Sequence, residues 1–214
     1  MRRLSGFLLC LILALTGCAG PADQTVSAPQ TETPSPVSYD CDLLFFGDSI
    51  TAWTDFASGF PAAKVVNLGV AGDTITDLLA RVPELAAHTP RKVFLLGGIN
   101  ALRDDSYDEC LEEYDALLSE VQAACPESEI YIQSVLPISR ALAVEIGCSI
   151  DTIRRFNDAI RAMAERRGMR WLDLWPVFER EGGLNPVYSD DGIHLNENGG
   201  SAWIAYLRPL AESN

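Results

Sequence analysis

Histidine is nearly missing from this chain: 214 residues contain only His88 and His194. The six cysteines stand at scattered positions with no pair at zinc-ligand spacing, so no metal site is expected. Basic residues are also few, 16 Lys and Arg against 30 Asp and Glu, for a formal charge of −14. That balance argues against nucleic acid as a partner, because phosphate binding needs cationic contacts, and against docking on anionic lipid head groups by charge. Phosphate-cradling and dinucleotide-binding glycine fingerprints are absent, and no cofactor is expected. Nor does any apolar run reach the roughly 20 residues of a membrane-spanning helix.

The longest such run, Leu4 to Leu15, follows Arg2 and Arg3 and reads as a cleaved leader covering residues 1–17. Its end, Leu15-Thr16-Gly17-Cys18, resembles a bacterial lipoprotein box, which implies lipidation of Cys18 and an extracytoplasmic protein anchored to a membrane. Residues 18–39 carry Pro21, Pro29, Pro34 and Pro36 among small polar residues and read as a flexible tether. Loss of Arg2 and Arg3 with the leader takes the charge to about −16, which suits solubility outside the cytoplasm and a neutral or cationic substrate. Residues 40–214 are enough for one buried core.

Four cysteines, Cys41, Cys110, Cys125 and Cys148, fall in that domain, and an exported chain could pair them. If Tyr107 to Ala124 is one helix, Cys110 and Cys125 lie roughly 22 Å apart along it, too far for a disulfide. Cys110 with Cys148 and Cys41 with Cys125 is the expected pairing, and buried free thiols are the alternative.

From Asp42 onward, short apolar runs alternate with amphipathic stretches. Leu43 to Phe46, Lys64 to Leu68, Lys92 to Leu96, Glu129 to Val135 and Arg170 to Leu174 read as strands buried on both faces. Tyr107, Leu111, Tyr114, Leu118 and Val121 repeat at helical spacing, as do Ile150, Ile153, Phe156, Ile160 and Met163, and a last helix carries Trp203, Tyr206 and Leu207. Such alternation predicts an α/β fold, a doubly wound parallel sheet with helices on both sides. Open parallel sheets bind ligands beyond the carboxyl ends of their strands. Ser49, Gly72, Asn100 and His194 all follow strands and should share that edge.

Residue types at that edge suit acyl transfer. Ser49, in Gly47-Asp48-Ser49-Ile50, is the candidate nucleophile, although a helix N-cap serine would look the same in isolation. His194 is the candidate base, since His88, before Thr89-Pro90, falls at the opposite edge. Asp191, three residues before His194, could orient the imidazole, and Asp190 is its rival. Donors for a developing oxyanion could come from the N–H groups of Ser49 and Gly72 and from the side-chain amide of Asn100. Trp53 and Tyr188 could form a platform for a sugar ring, with ordinary packing the simpler expectation for both.

Taken in order, Gly47-Asp48-Ser49-Ile50, Gly97-Gly98-Ile99-Asn100 and Asp191-Gly192-Ile193-His194 resemble the blocks of the SGNH hydrolase family, also called GDSL esterases. The resemblance covers Asp42 to Leu210. It implies a flavodoxin-like three-layer αβα sandwich, a five-stranded parallel sheet of order 2-1-3-4-5, and Ser-His-Asp catalysis by Ser49, His194 and Asp191. It also selects Gly72 rather than Gly69 for the oxyanion hole, beside Ser49 and Asn100, and Asp191 rather than Asp190. Ala101 departs from the pattern, standing where the family often has Asp. Gln133-Ser134-Val135-Leu136-Pro137 is similar to members that act as lysophospholipases. Few insertions interrupt the predicted elements, so an open cleft and a short acyl group, above all acetyl, on a hydrated alcohol such as a sugar are expected. The alternatives are a lysophospholipase or thioesterase and, in a different class, a catalytically silent surface carbohydrate-binding protein.

Overall fold

Strand β1 (Cys41–Gly47) has Leu43, Leu44, Phe45 and Phe46 without solvent exposure, and the same is true of Val93, Phe94 and Leu95 in the strand Pro90–Leu96 beside it. Adjacent side chains on a strand point to opposite faces, so both faces of this sheet are covered. The computed structural model describes residues 37–104 and 106–213. The leader, Cys18 and most of the tether lie outside them.

In chain order, β1 is followed by α1 (Ser49–Ala52), α2 (Phe56–Gly59), β2 (Val65–Gly69), α3 (Ile75–Leu85), β3 (Pro90–Leu96), α4 (Ala101–Asp104) and α5 (Tyr107–Ala124). Then come β4 (Glu129–Gln133), α6 (Arg140–Ile146), α7 (Ile150–Arg166), β5 (Arg170–Leu172), α8 (Trp175–Phe178), the antiparallel pair β6 (Glu179–Arg180) and β7 (Gly183–Leu184), and α9 (Glu197–Ala211). The main sheet has the order β2-β1-β3-β4-β5, all parallel. This is the flavodoxin-like sandwich that the family resemblance implied.

Two cores flank the sheet. Leu44, Phe46, Val93, Leu95 and Ile132 pack on α3, α5 and α7 through residues such as Leu78, Tyr114, Leu118 and Phe156. On the other face, Phe45 stacks on Phe56 at 3.6 Å and on Phe94 at 5.1 Å, and Phe94 stacks on Tyr131 at 4.8 Å. Trp203 of α9 completes that layer, donating from Nε1 to Gln133 Oε1 at 2.8 Å. At the far end of α9, the buried Lys92 sends its ammonium to the Leu210 carbonyl at 2.7 Å, where the helix dipole favours a cation.

Cys41, Cys125 and Cys148 are buried free thiols, so neither expected disulfide forms. Cys41 opens β1, Cys125 caps α5, and Cys148 precedes α7. Tyr39, assigned to the tether by sequence, already bonds the domain: its hydroxyl donates to the Glu127 carbonyl at 3.1 Å.

Candidate active site

The order of the sheet reverses around β1, which leads first to β2 on one side and then to β3 on the other. Gly47 ends β1 in register with Gly69 of β2 and Leu96 of β3. Ser49, Gly72 and Asn100 therefore all lie just beyond the carboxyl ends of three neighbouring strands, where open α/β sheets bind ligands.

Ser49 is the first residue of α1. Asp48 caps this short helix, its Oδ1 accepting from the Ile50 N–H at 3.0 Å, so the Ser49 N–H has no intrahelical acceptor. The turn fits only because residue 47 is glycine. A Cβ there would run into the Leu96 carbonyl and the Thr51 hydroxyl.

His194 lies in the loop between β7 and α9. Its Nε2 is 3.0 Å from Ser49 Oγ, and its Nδ1 is 2.6 Å from Asp191 Oδ2. An Nδ1–H donated to the carboxylate leaves Nε2 free to accept from the serine hydroxyl. The other oxygen of Asp191 accepts from the N–H groups of His194 at 2.8 Å and Ile193 at 3.0 Å, and from Ser189 Oγ at 3.3 Å. Partial burial opposes charge on Asp191, but the hydrogen bonds from His194 and the two N–H groups outweigh it and bring the carboxyl down to about 2. Asp190 takes no part and instead accepts from Asn196 Nδ2 at 3.2 Å.

Asn100 donates one amide proton to the Asp73 carbonyl at 2.9 Å, which ties it to the residue after Gly72. Gly72 has φ +90°. Arg81 fixes the loop from below, pairing with the Asp73 carboxylate and donating to the Leu68 carbonyl at 2.8 Å. Ser49, His194 and Asp191 thus meet in one hydrogen-bonded chain, and Gly72 and Asn100 follow strands that end at the same edge. His88 sits at the other, 3.0 Å from Asp40. Among the described residues, Asp40, Cys41 and His88 are the one group whose potential ligand atoms come within 4.8 Å of one another; Asp40 there already accepts from the Thr89 N–H at 2.7 Å.

The buried state of Asp48 escaped the sequence, and for Trp53 the simpler of two expectations, ordinary packing, does not hold. Asp48 has no solvent exposure and its Oδ2 has no partner among the described residues; burial, partly offset by the Ile50 N–H, pushes its carboxyl up to about 7. Trp53, one helical turn after Ser49, is 61% exposed and rests on the His194 ring at 4.2 Å between centroids, rather than being packed away as its size suggests. Tyr188 does pack, edge-on against Phe178 at 5.6 Å.

The model of the GDSL-like Lipase/Acylhydrolase family matches residues 45–202, most of the folded chain. The chain belongs to that family. As a GDSL-like acylhydrolase it is a carboxylic ester hydrolase. It is 31% identical over 187 residues to thioesterase 1/protease 1/lysophospholipase L1 of Escherichia coli (strain K12), covering 78% of this chain and 84% of that one. It is 25% identical over 201 residues to isoamyl acetate-hydrolyzing esterase 1 homolog of Bos taurus, covering 79% and 81%. Among solved structures, the GDSL-like acylhydrolase shares its fold with a GDSL-like lipase from Bacteroides thetaiotaomicron (23% identity, TM-score 0.70, 80% and 87% covered). It likewise shares it with a mutant of an acetyl-xylooligosaccharide esterase from Geobacillus Stearmophilus (20% identity, TM-score 0.66, 82% and 96% covered).

Proposed function

We propose that the protein cleaves short-chain esters, above all acetyl esters of carbohydrates, by a Ser-His-Asp mechanism. The observation that carries this reading is the unbroken chain of hydrogen bonds from Ser49 Oγ through His194 to Asp191. Ser49 Oγ attacks the ester carbonyl carbon while its proton passes to His194 Nε2. The carbonyl oxygen, now an oxyanion, takes hydrogen bonds from the Ser49 and Gly72 N–H groups and the remaining amide proton of Asn100. Collapse breaks the bond to the alcohol oxygen, which leaves with the proton from Nε2. Water then attacks the acyl-serine by the same route, giving its proton to His194 and releasing the acid and Ser49. Asp191 stays ionised and stabilises the imidazolium at both steps.

An exposed indole beside the general base suits a sugar alcohol, whose C–H face stacks on an aromatic ring. A lysophospholipase or thioesterase is the second reading, favoured by the 31% identity to the Escherichia coli enzyme of that name. Rates on acetyl, butyryl and lauryl p-nitrophenyl esters separate the two. Acetyl is expected to lead, and a maximum at lauryl would favour the lipid reading. No observation favours the silent carbohydrate-binding protein. The lipoprotein box adds an extracytoplasmic location, with Cys18 lipidated and residues 18–39 linking the enzyme to the membrane.

A further inference from the structure

A cavity of about 620 Å³ lies between α1–α2 and α9, with Trp53 and Leu195 in its lining. Its volume falls in the range of about 300–1,000 Å³ typical of small-molecule sites. Trp53 and Leu195 form the wall it shares with the reaction centre: Trp53 rests on the His194 ring, and Leu195 is the next residue after that histidine.

Chemistry fixes which part of the substrate this wall faces. The alcohol oxygen must receive its proton from His194 Nε2, so the alcohol leaves on the histidine side, while the carbonyl oxygen points to the donors at Ser49, Gly72 and Asn100. Anything attached to the alcohol continues past His194 toward Trp53. The lining beyond it is mixed. Trp53 and Ile204 give apolar surface; Ser58, Ser201 and Glu197 supply hydroxyl and carboxylate groups. A pyranose ring asks for this mixture, apolar on its C–H face and polar around its edge. Small residues of α9 keep the space open. A Cβ added at Gly200 would touch only Thr54 Cγ2, at 3.8 Å.

We infer that this groove is a subsite for the sugar residue next to the acetylated one, which makes the enzyme selective for oligosaccharide over monosaccharide esters. The inference rests on the carbohydrate reading above. Its test uses mono-O-acetylated xylose, glucose and N-acetylglucosamine, the trisaccharide of each, and p-nitrophenyl acetate. For the sugar cleaved best, KM for the trisaccharide is expected to be about tenfold below that for the monosaccharide. Ser201→Trp, which fills the groove from the exposed face of α9, is expected to erase that advantage through KM. Gly200→Leu fills it from the floor and serves if Ser201→Trp does not fold, as judged by thermal unfolding. Cleavage of sugar acetates with no gain from length, or a gain that survives a folded groove-filling variant, would overturn the subsite and leave the carbohydrate reading intact. Cleavage of p-nitrophenyl acetate with none of the sugar acetates would overturn both.

Discussion

Asp48 stands directly before Ser49, buried, with one carboxylate oxygen bonded to the Ile50 N–H and the other without a partner among the described residues. Its carboxyl, at about 7 in the folded protein against an ordinary 3.8, binds a proton more tightly folded than unfolded between those values. Stability from this group is therefore greatest below pH 4, declines as pH rises through the window and is level above it, by at most about 1.4 kcal/mol per pH unit. Asp48→Asn keeps an acceptor for Ile50 and removes the slope. The melting temperature of Asp48→Asn relative to wild type is expected to rise from pH 5 to pH 8, and a flat difference would mean that Asp48 ionises normally. Asn100→Ala is expected to lower kcat about 10²–10³-fold with little change in melting temperature; a small loss of kcat would remove Asn100 from the oxyanion site. Ser49, Asp191 and His194 were legible in the sequence because each sits in a local motif, and two histidines left little choice of base. The burial of Asp48 was not legible, since it arises from elements that meet only in the fold. The same holds for the contact of Trp53 with His194, which joins residues 141 positions apart.

At the scale of elements, the loop bearing Asp191 and His194 is held by the start of α6. The Ser139 N–H donates to the Gly192 carbonyl at 2.7 Å, and the Gly192 N–H donates to Ser189 Oγ at 2.9 Å. Gly192 has φ +87°, and a Cβ there would meet the Ser139 side chain. Gly192→Ala is expected to cost about 1–3 kcal/mol in chemical denaturation and to reduce esterase activity as well. Full activity with unchanged stability would show that the clamp is not needed. The five main strands were legible as short apolar runs, but only β1, β3 and β4 are buried on both faces; β2 and β5 are the edges of the sheet and stay partly open. Helix α5 was read with its bounds because three turns or more of periodic apolar residues outweigh local noise. The two-residue strands β6 and β7 and the short helix α8 were not legible, being too short to carry a period. The disulfide expectation failed because an even number of cysteines permits pairing without requiring it, and here the sulfurs are spent as small core side chains.

At the scale of the whole molecule, the described residues are built on one five-stranded parallel sheet in an acidic chain. Reversal of strand order at β1 brings loops from opposite halves of the chain to one rim, and the chain as a whole carries a formal charge of −14. For the proposed anchor, the wild type expressed in a bacterial host with labelled fatty acid is expected to take up label and sediment with membranes and Cys18→Ser to do neither; an unlabelled wild type would contradict the anchor, and label retained in Cys18→Ser would place the lipid elsewhere. The most direct measurement of the central claim is the site and consequence of acylation at the rim. A serine-directed fluorophosphonate is expected to add one label, found on the peptide containing Ser49 and absent from Ser49→Ala, with p-nitrophenyl acetate hydrolysis lost in the same variant. A label on another residue, or hydrolysis by Ser49→Ala at the wild-type rate, would contradict it.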